Sequence, residues 1–215
     1  MKNNKRLLSI LLVAVMAIGM TMTAIAATNG SMNYQGPTDE DKVAWVNNYV
    51  YSNATIAAGQ GTIAKVTDKE VLVSAYNQSD EIYGFVWQKV GAVLKDNNQE
   101  AYVTDYVLFD VQGVTSGEVT VQLKDEGLAD AKGMLAVVSH YNASTKKWEQ
   151  MDKLAEIDDQ CRVTFNFNSY SPILISVTNV KASDLKENSG FGIQKATMTP
   201  QQVASGAAKA PKMGE

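Results

Sequence analysis

One histidine and one cysteine bound the chemistry open to this chain. A Ser-His-Asp or Cys-His nucleophile would have to run through His140. That residue stands in "AVVSHY", residues 136–141, directly before the turn-rich "NASTK". Strand alternation puts it with Ala136 and Val138, opposite Val137 and Tyr141. A structural histidine at a sheet rim is the expectation. Cys161 alternates with Val163 and Phe165 and reads as a small buried hydrophobe. A zinc site needs several His or Cys ligands, which one of each cannot supply. The sequence therefore predicts no catalytic residue, no metal and no cofactor.

Paired carboxylates could hydrolyse a glycoside. The candidates are Asp125, Glu126 and Asp130 in "KDEGLAD", and Glu156, Asp158 and Asp159 in "EIDD". Both segments read as loops between strands, where acids are ordinarily solvated. A hydrolase is thus the third reading. Calcium bound by loop acids and carbonyls lacks the EF-hand spacing. Aromatics offer the positive binding signal. Tyr141, Trp148 and Tyr170 fall near the expected strand ends. Exposed there, their flat rings could stack on sugar faces or anchor a partner. Packed inward, they are core, as aromatics usually are.

These residues need elements to position them. Thr38 and Asp39 precede "EDKVAWVNNYV", with Val43, Val46 and Val50 on one helical face. Thr67 and Glu70 read as a capping box for a second helix. Leu72, Tyr76, Tyr83, Trp87, Val90 and Leu94 then form one apolar stripe. "NQSD" at 77–80 is a possible break, with Ser79 capping a separate helix after it. After "KDNNQE" the period becomes two. "AYVTDYVLFDVQ" sets Val103, Asp105, Val107, Phe109 and Val111 on one face. "GEVTVQL" turns Val119, Val121 and Leu123 inward. "GMLAVVSHY", "KWEQM", "CRVTFNFN" and "PILISV" complete the set. The expected fold is mainly β, in the α+β sense: an antiparallel β-sandwich of about six or seven strands preceded by a short helical segment. Within it, "AVVSHY" and "KWEQM" form a hairpin turning at Asn142–Lys146. Trp148 lies between charged Lys147 and Glu149, so alternation turns it inward.

The strand pieces "GEVTVQL", "VVSHYNASTKKWEQM" and "RVTFNFNSYSPILIS" also occur in a particular order. Residues 100–178 resemble a β-sandwich module recurrent in exported and cell-surface proteins of gut Clostridia-type bacteria. The resemblance rests on a V-x-H-Y…W-E…V-T-x-x-F-x-S-x-S-P pattern. It implies a sandwich fold and an extracellular setting. It carries no activity and no catalytic residues.

The chain ends complete the reading. Lys2, Lys5 and Arg6 precede "LLSILLVAVMAIGM", and Ala24-x-Ala26 forms a cleavage pattern. This predicts a secretory signal peptide at 1–26, cut before Ala27. A flexible lead-in at 27–37, a helical segment at 38–97, the sandwich at 98–180 and a polar, disordered tail at 181–215 are expected to follow. Removal of three basic residues leaves 19 − 3 = 16 Lys and Arg against 23 acids, a net charge of −7. Phosphates would be repelled, so nucleic acid is not an expected partner. No second run is apolar enough to span a membrane after cleavage. The functional expectation is a secreted or cell-surface, non-catalytic interaction module with a protein or glycan partner. A carbohydrate-binding module using exposed aromatics is the alternative.

Overall fold

The computed structural model describes residues 36–196. The expected signal peptide, the lead-in up to residue 35 and the tail beyond residue 196 lie outside the described residues. Helix α1, Asp39–Tyr49, opens with a complete capping box. Thr38 Oγ1 accepts the Asp41 N–H at 3.2 Å, and the Asp41 carboxylate accepts the Thr38 N–H at 3.0 Å. Three acids in the first turn complement the helix dipole. Strands β1, Ala54–Ala58, and β2, Thr62–Ala64, come next. Helix α2, Lys69–Phe85, follows them.

The cap of α2 is Asp68 rather than Thr67. Its carboxylate accepts the Val71 N–H at 3.0 Å, a charge-assisted bond that outcompetes a hydroxyl. The helix does not break at Asn77–Asp80. Ser79 is buried inside it and donates its hydroxyl back to the Tyr76 carbonyl at 2.7 Å. That local bond removes the reason for a cap. A π-helical turn, Val86–Val90, and a 3-10 turn, Gly91–Val93, extend α2. The stripe it buries is Leu72, Ala75, Ser79, Ile82, Val86 and Val90. Trp87, placed in the stripe by sequence spacing, is instead 56% exposed.

Eight more strands are β3 (Val103–Gln112), β4 (Gly117–Leu123), β5 (Met134–Asn142), β6 (Lys147–Gln150), β7 (Lys153–Glu156), β8 (Arg162–Phe167), β9 (Pro172–Lys181) and β10 (Gly192–Gln194). They form two sheets. The small one runs β1-β4-β8, antiparallel throughout. The large one runs β10-β7-β5-β9-β3-β2, with β6 also on β5. Its pairs are antiparallel except β10 with β7. Strands β6 and β7 share one edge of β5. The first pairs with Ser139–Asn142, the second with Leu135 and Ala136.

The sandwich is therefore real, and a helical layer adds a third tier. Between the sheets lie Val107, Phe109, Val121, Val138, Phe165 and Ile175, among others. On the other face of the large sheet, Leu108, Val137 and Leu174 pack against Leu72, Ala75 and Ile82. Burial on both faces is why "GMLAVVSHY" reads as a dense apolar run rather than an alternating one. At about 25 cal/mol per Å2 of apolar surface, such two-sided burial dominates the stability.

Three further expectations need correction. Segment 38–97 is not wholly helical, since β1 and β2 lie inside it, one in each sheet. Val103 leaves the face of Val107 and joins the helix-side core, because a register shift between Val103 and Asp105 turns the strand over. Part of the expected tail is folded. Leu185 is buried, Phe191 meets Phe85 at 6.0 Å, and β10 pairs with β7. The average composition of 181–215 hides these few well-placed apolar residues.

Candidate functional site

The β5–β6 hairpin positions the only histidine. Its turn occupies residues 143–146. Asn142 Oδ1 accepts the N–H groups of Ser144 and Thr145 at 3.0 and 3.2 Å, and Lys146 takes a positive φ of 54°. Asn142 thus makes the Asx-type turn its short side chain favours. The register then sets His140 opposite Glu149 and Tyr141 opposite Trp148.

His140 is 3% exposed. Its Nε2 lies 2.9 Å from Glu149 Oε2, and its ring centroid is 4.5 Å from that of Phe167. Nδ1 lies 3.5 Å from Ser171 Oγ. Ser171, His140 and Glu149 therefore line up in nucleophile-base-acid order. The Ser171 hydroxyl donates to the Tyr141 carbonyl, and its contact to the imidazole at 3.5 Å is long. Glu149 is anchored in turn. The Asn142 amide at 2.6 Å, and then His140, hold its carboxyl below the usual value.

Sequence spacing alone did not single out Glu149 or Ser171. The signal for Glu149 was present: folding "SHYNASTKKWE" about a four-residue turn places it across from His140. Ser171 comes from the β8–β9 loop, and the sequence carries no such cue for it.

Beside this cluster, at the edge where the two sheets part, lies an open cleft of about 520 Å3. His140 and Phe167 contribute to its lining, and so do Gln150, Asn166, Asn168 and Gln194. The four amides each offer both a donor and an acceptor. Glu149, Asp152 and Lys153 add charges of both signs. Ser171 is not part of the lining. The cleft suits hydrogen-bonded capture of a hydrophilic ligand and shows no poised nucleophile.

The three aromatics singled out from the sequence are held by packing. Tyr141 is buried in the helix-side core. Trp148 is partly buried there, 5.4 Å from Tyr141 between ring centroids, and its indole N–H donates to Ser74 Oγ on α2 at 3.0 Å. Tyr170 donates its hydroxyl to the Gly117 carbonyl and packs edge-on against Phe167 at 6.2 Å. That bond ties the β8–β9 loop to β4, and burial raises the phenol's pKa. None of the three lines the cleft.

Two of the loop acids serve the backbone. Asp125 Oδ2 accepts the Asn53 N–H at 3.0 Å. Asp158 accepts the N–H groups of Gln160 and Arg162, and pairs with Arg162 Nε at 2.6 Å. Glu156 lies 3.5 Å from Lys195. Cys161 is in the same turn as Asp158, at a φ of 57°, rather than in β8. It still packs against the inter-sheet core, and burial pushes its thiol pKa up, the opposite of an activated thiolate. Among the described residues, no three of His, Cys, Asp and Glu converge to hold a metal ion, and no helix is long and apolar enough to cross a membrane. No known family profile, curated protein or solved structure matches this chain significantly.

Proposed function

We propose that this chain is an exported, non-catalytic binding module of the extracellular or cell-surface kind, and that the amide-lined cleft holds its ligand. The cleft carries the reading: about 520 Å3 of open space lined mainly by polar side chains. Its size falls within the usual range for ligand sites. The Ser171 hydroxyl bond to a backbone carbonyl supports the absence of catalysis. The leader-like segment at 1–26 and the module resemblance support export. The partner is a hydrophilic protein segment or a glycan.

The test uses exposed residues, so folding is not at stake. Gln150 and Asn166 are both exposed. The double variant Gln150→Ala/Asn166→Ala keeps the wild-type melting midpoint. Screened against soluble peptide and oligosaccharide libraries, it loses the wild-type ligand. A ligand that binds wild type and double variant equally removes the cleft from the proposal. Export is tested by N-terminal sequencing of the secreted product, which begins at or near Ala27. Retention of residues 7–22 in a membrane fraction overturns it.

A further inference from the structure

Two open strand edges, one from each sheet, contribute to the cleft. Among the described residues β8 pairs with β4 and β6 pairs with β5, each on one side. The ladders fix which main-chain groups those edges carry. In an antiparallel pair every second residue exchanges N–H and C=O bonds with the partner strand, and the residues between turn theirs the other way. The Leu123 N–H donates to the Cys161 carbonyl at 2.9 Å, in the register of β4 with β8. Val163, Phe165 and Phe167 therefore bond β4, and Arg162, Thr164 and Asn166 turn outward. The Met151 N–H donates to the Val138 carbonyl at 2.8 Å, so on β6 Lys147 and Glu149 bond β5, and Trp148 and Gln150 turn outward. Asp158 closes the outer edge at Arg162. Its carboxylate accepts the Arg162 N–H at 2.8 Å, and its own N–H donates to the Arg162 carbonyl at 3.0 Å. Thr164 is buried and takes no part. Asn166 and Gln150 have no such cover. Both are exposed and line the cleft, and their outward N–H and C=O groups meet no partner among the described residues.

We propose that the cleft captures an extended peptide segment of another protein, which pairs main chain to main chain with these edges. The inference rests on the reading of the cleft as a ligand site and names its occupant. An open strand edge is a template for a further strand, because its N–H and C=O groups match those of another extended chain. Main-chain bonds hold the segment, and the side-chain amides of Gln150, Asn166 and Asn168 select it. Glu149 and Asp152 outnumber Lys153 in the lining, which favours a segment with a basic side chain. A glycan fits less well. Stacking on a sugar takes an exposed flat ring, and the two rings in the lining, His140 and Phe167, are 3% and 9% exposed. A second copy of this chain, joined edge to edge, would set two acidic linings against each other.

The experiment screens the full chain against soluble peptide and oligosaccharide libraries, and follows amide hydrogen exchange by NMR. The expected result is a peptide whose binding slows exchange at the Gln150 and Asn166 amides. The Phe165 amide, already bonded to β4, changes little. Single N-methyl groups walked along that peptide keep every side chain and weaken binding at alternate positions, on the order of tenfold for each main-chain bond lost. Four results overturn the proposal: only an oligosaccharide binds in the cleft, a cleft-bound peptide leaves exchange at both amides unchanged, every N-methylated form binds as well as its parent, or sedimentation shows that the two amides are protected in a dimer of this chain. The first three leave the cleft standing as a ligand site. Absence of any ligand from either library overturns both readings, so the two failures are distinguishable.

Discussion

Trp148 stands between Lys147 and Glu149 in the sequence and is folded under α2, whereas Trp87 stands in an apolar helical pattern and ends in solvent. The contrast reflects how firmly each element fixes direction. In a strand, successive side chains point to opposite faces, so charged neighbours on both sides leave one answer for the middle residue. A helix offers adjacent stripes of equal periodicity. Tyr76, Tyr83 and Trp87 define one stripe. Ala75, Ile82 and Val86 define another, offset by a single residue. The large sheet takes the second. Ala75 and Val86 are 2% and 0% exposed, so smaller side chains fill the contact between α2 and the sheet. The bulky rings move to the flanks, where Tyr76 meets Trp45 edge-on at 5.2 Å.

The largest test of this contrast is Trp148→Ala. Removing a packed indole and its bond to Ser74 should lower stability by about 3 kcal/mol. For a chain of this size that shifts the melting midpoint by roughly 6–12 °C. An unchanged midpoint in a thermal melt would mean that Trp148 is not structural. Gly84→Ala should act in the opposite direction. The added methyl meets open space, so chemical denaturation should show a gain of about 1 kcal/mol. A loss would reveal a steric role for the glycine that the structure does not show.

The hairpin end of the comparison has a pH signature. Glu149 has a lowered pKa in the folded state, first through Asn142 and then through His140. Its contribution is present above the unfolded carboxylate pKa and is lost as pH falls through the lower folded value. Glu149→Gln should therefore melt slightly below wild type at neutral pH. The gap should close below the usual carboxylate range. A gap that stays constant into acid rules out the linkage. The smallest effect belongs to Trp87→Ala, which should leave stability within about 0.5 kcal/mol of wild type. A clear loss would show that the ring packs.

Legibility in the sequence followed the same division. The sandwich strands, the inward turn of Trp148 and the hairpin at Asn142 were readable because period two and Asx-turn chemistry are local and strict. The strand β1 was not, since "ATIAA" lies between helical patterns and gains its pairing from β4, far along the chain. Likewise β10 depends on β7 for its existence. The face switch at Val103 follows from one irregular residue that no alternation rule announces. At the site, His140 was placed correctly on its face. Ser171 is brought beside it by the β8–β9 loop, which sequence spacing cannot anticipate. The cleft is a property of two sheet edges parting, so its four amides come from three separate segments and form no motif.

The placement of β9 also sets an order of events. The two long strands that precede it, β3 and β5, do not pair with each other; β9 lies between them and bonds to both. The centre of the large sheet therefore cannot close until residues 172–181 are available, and its β10 edge waits for residues 192–194. Such non-local pairing makes assembly slow. A chain wired in this way keeps the centre of its large sheet open until β9 has been made.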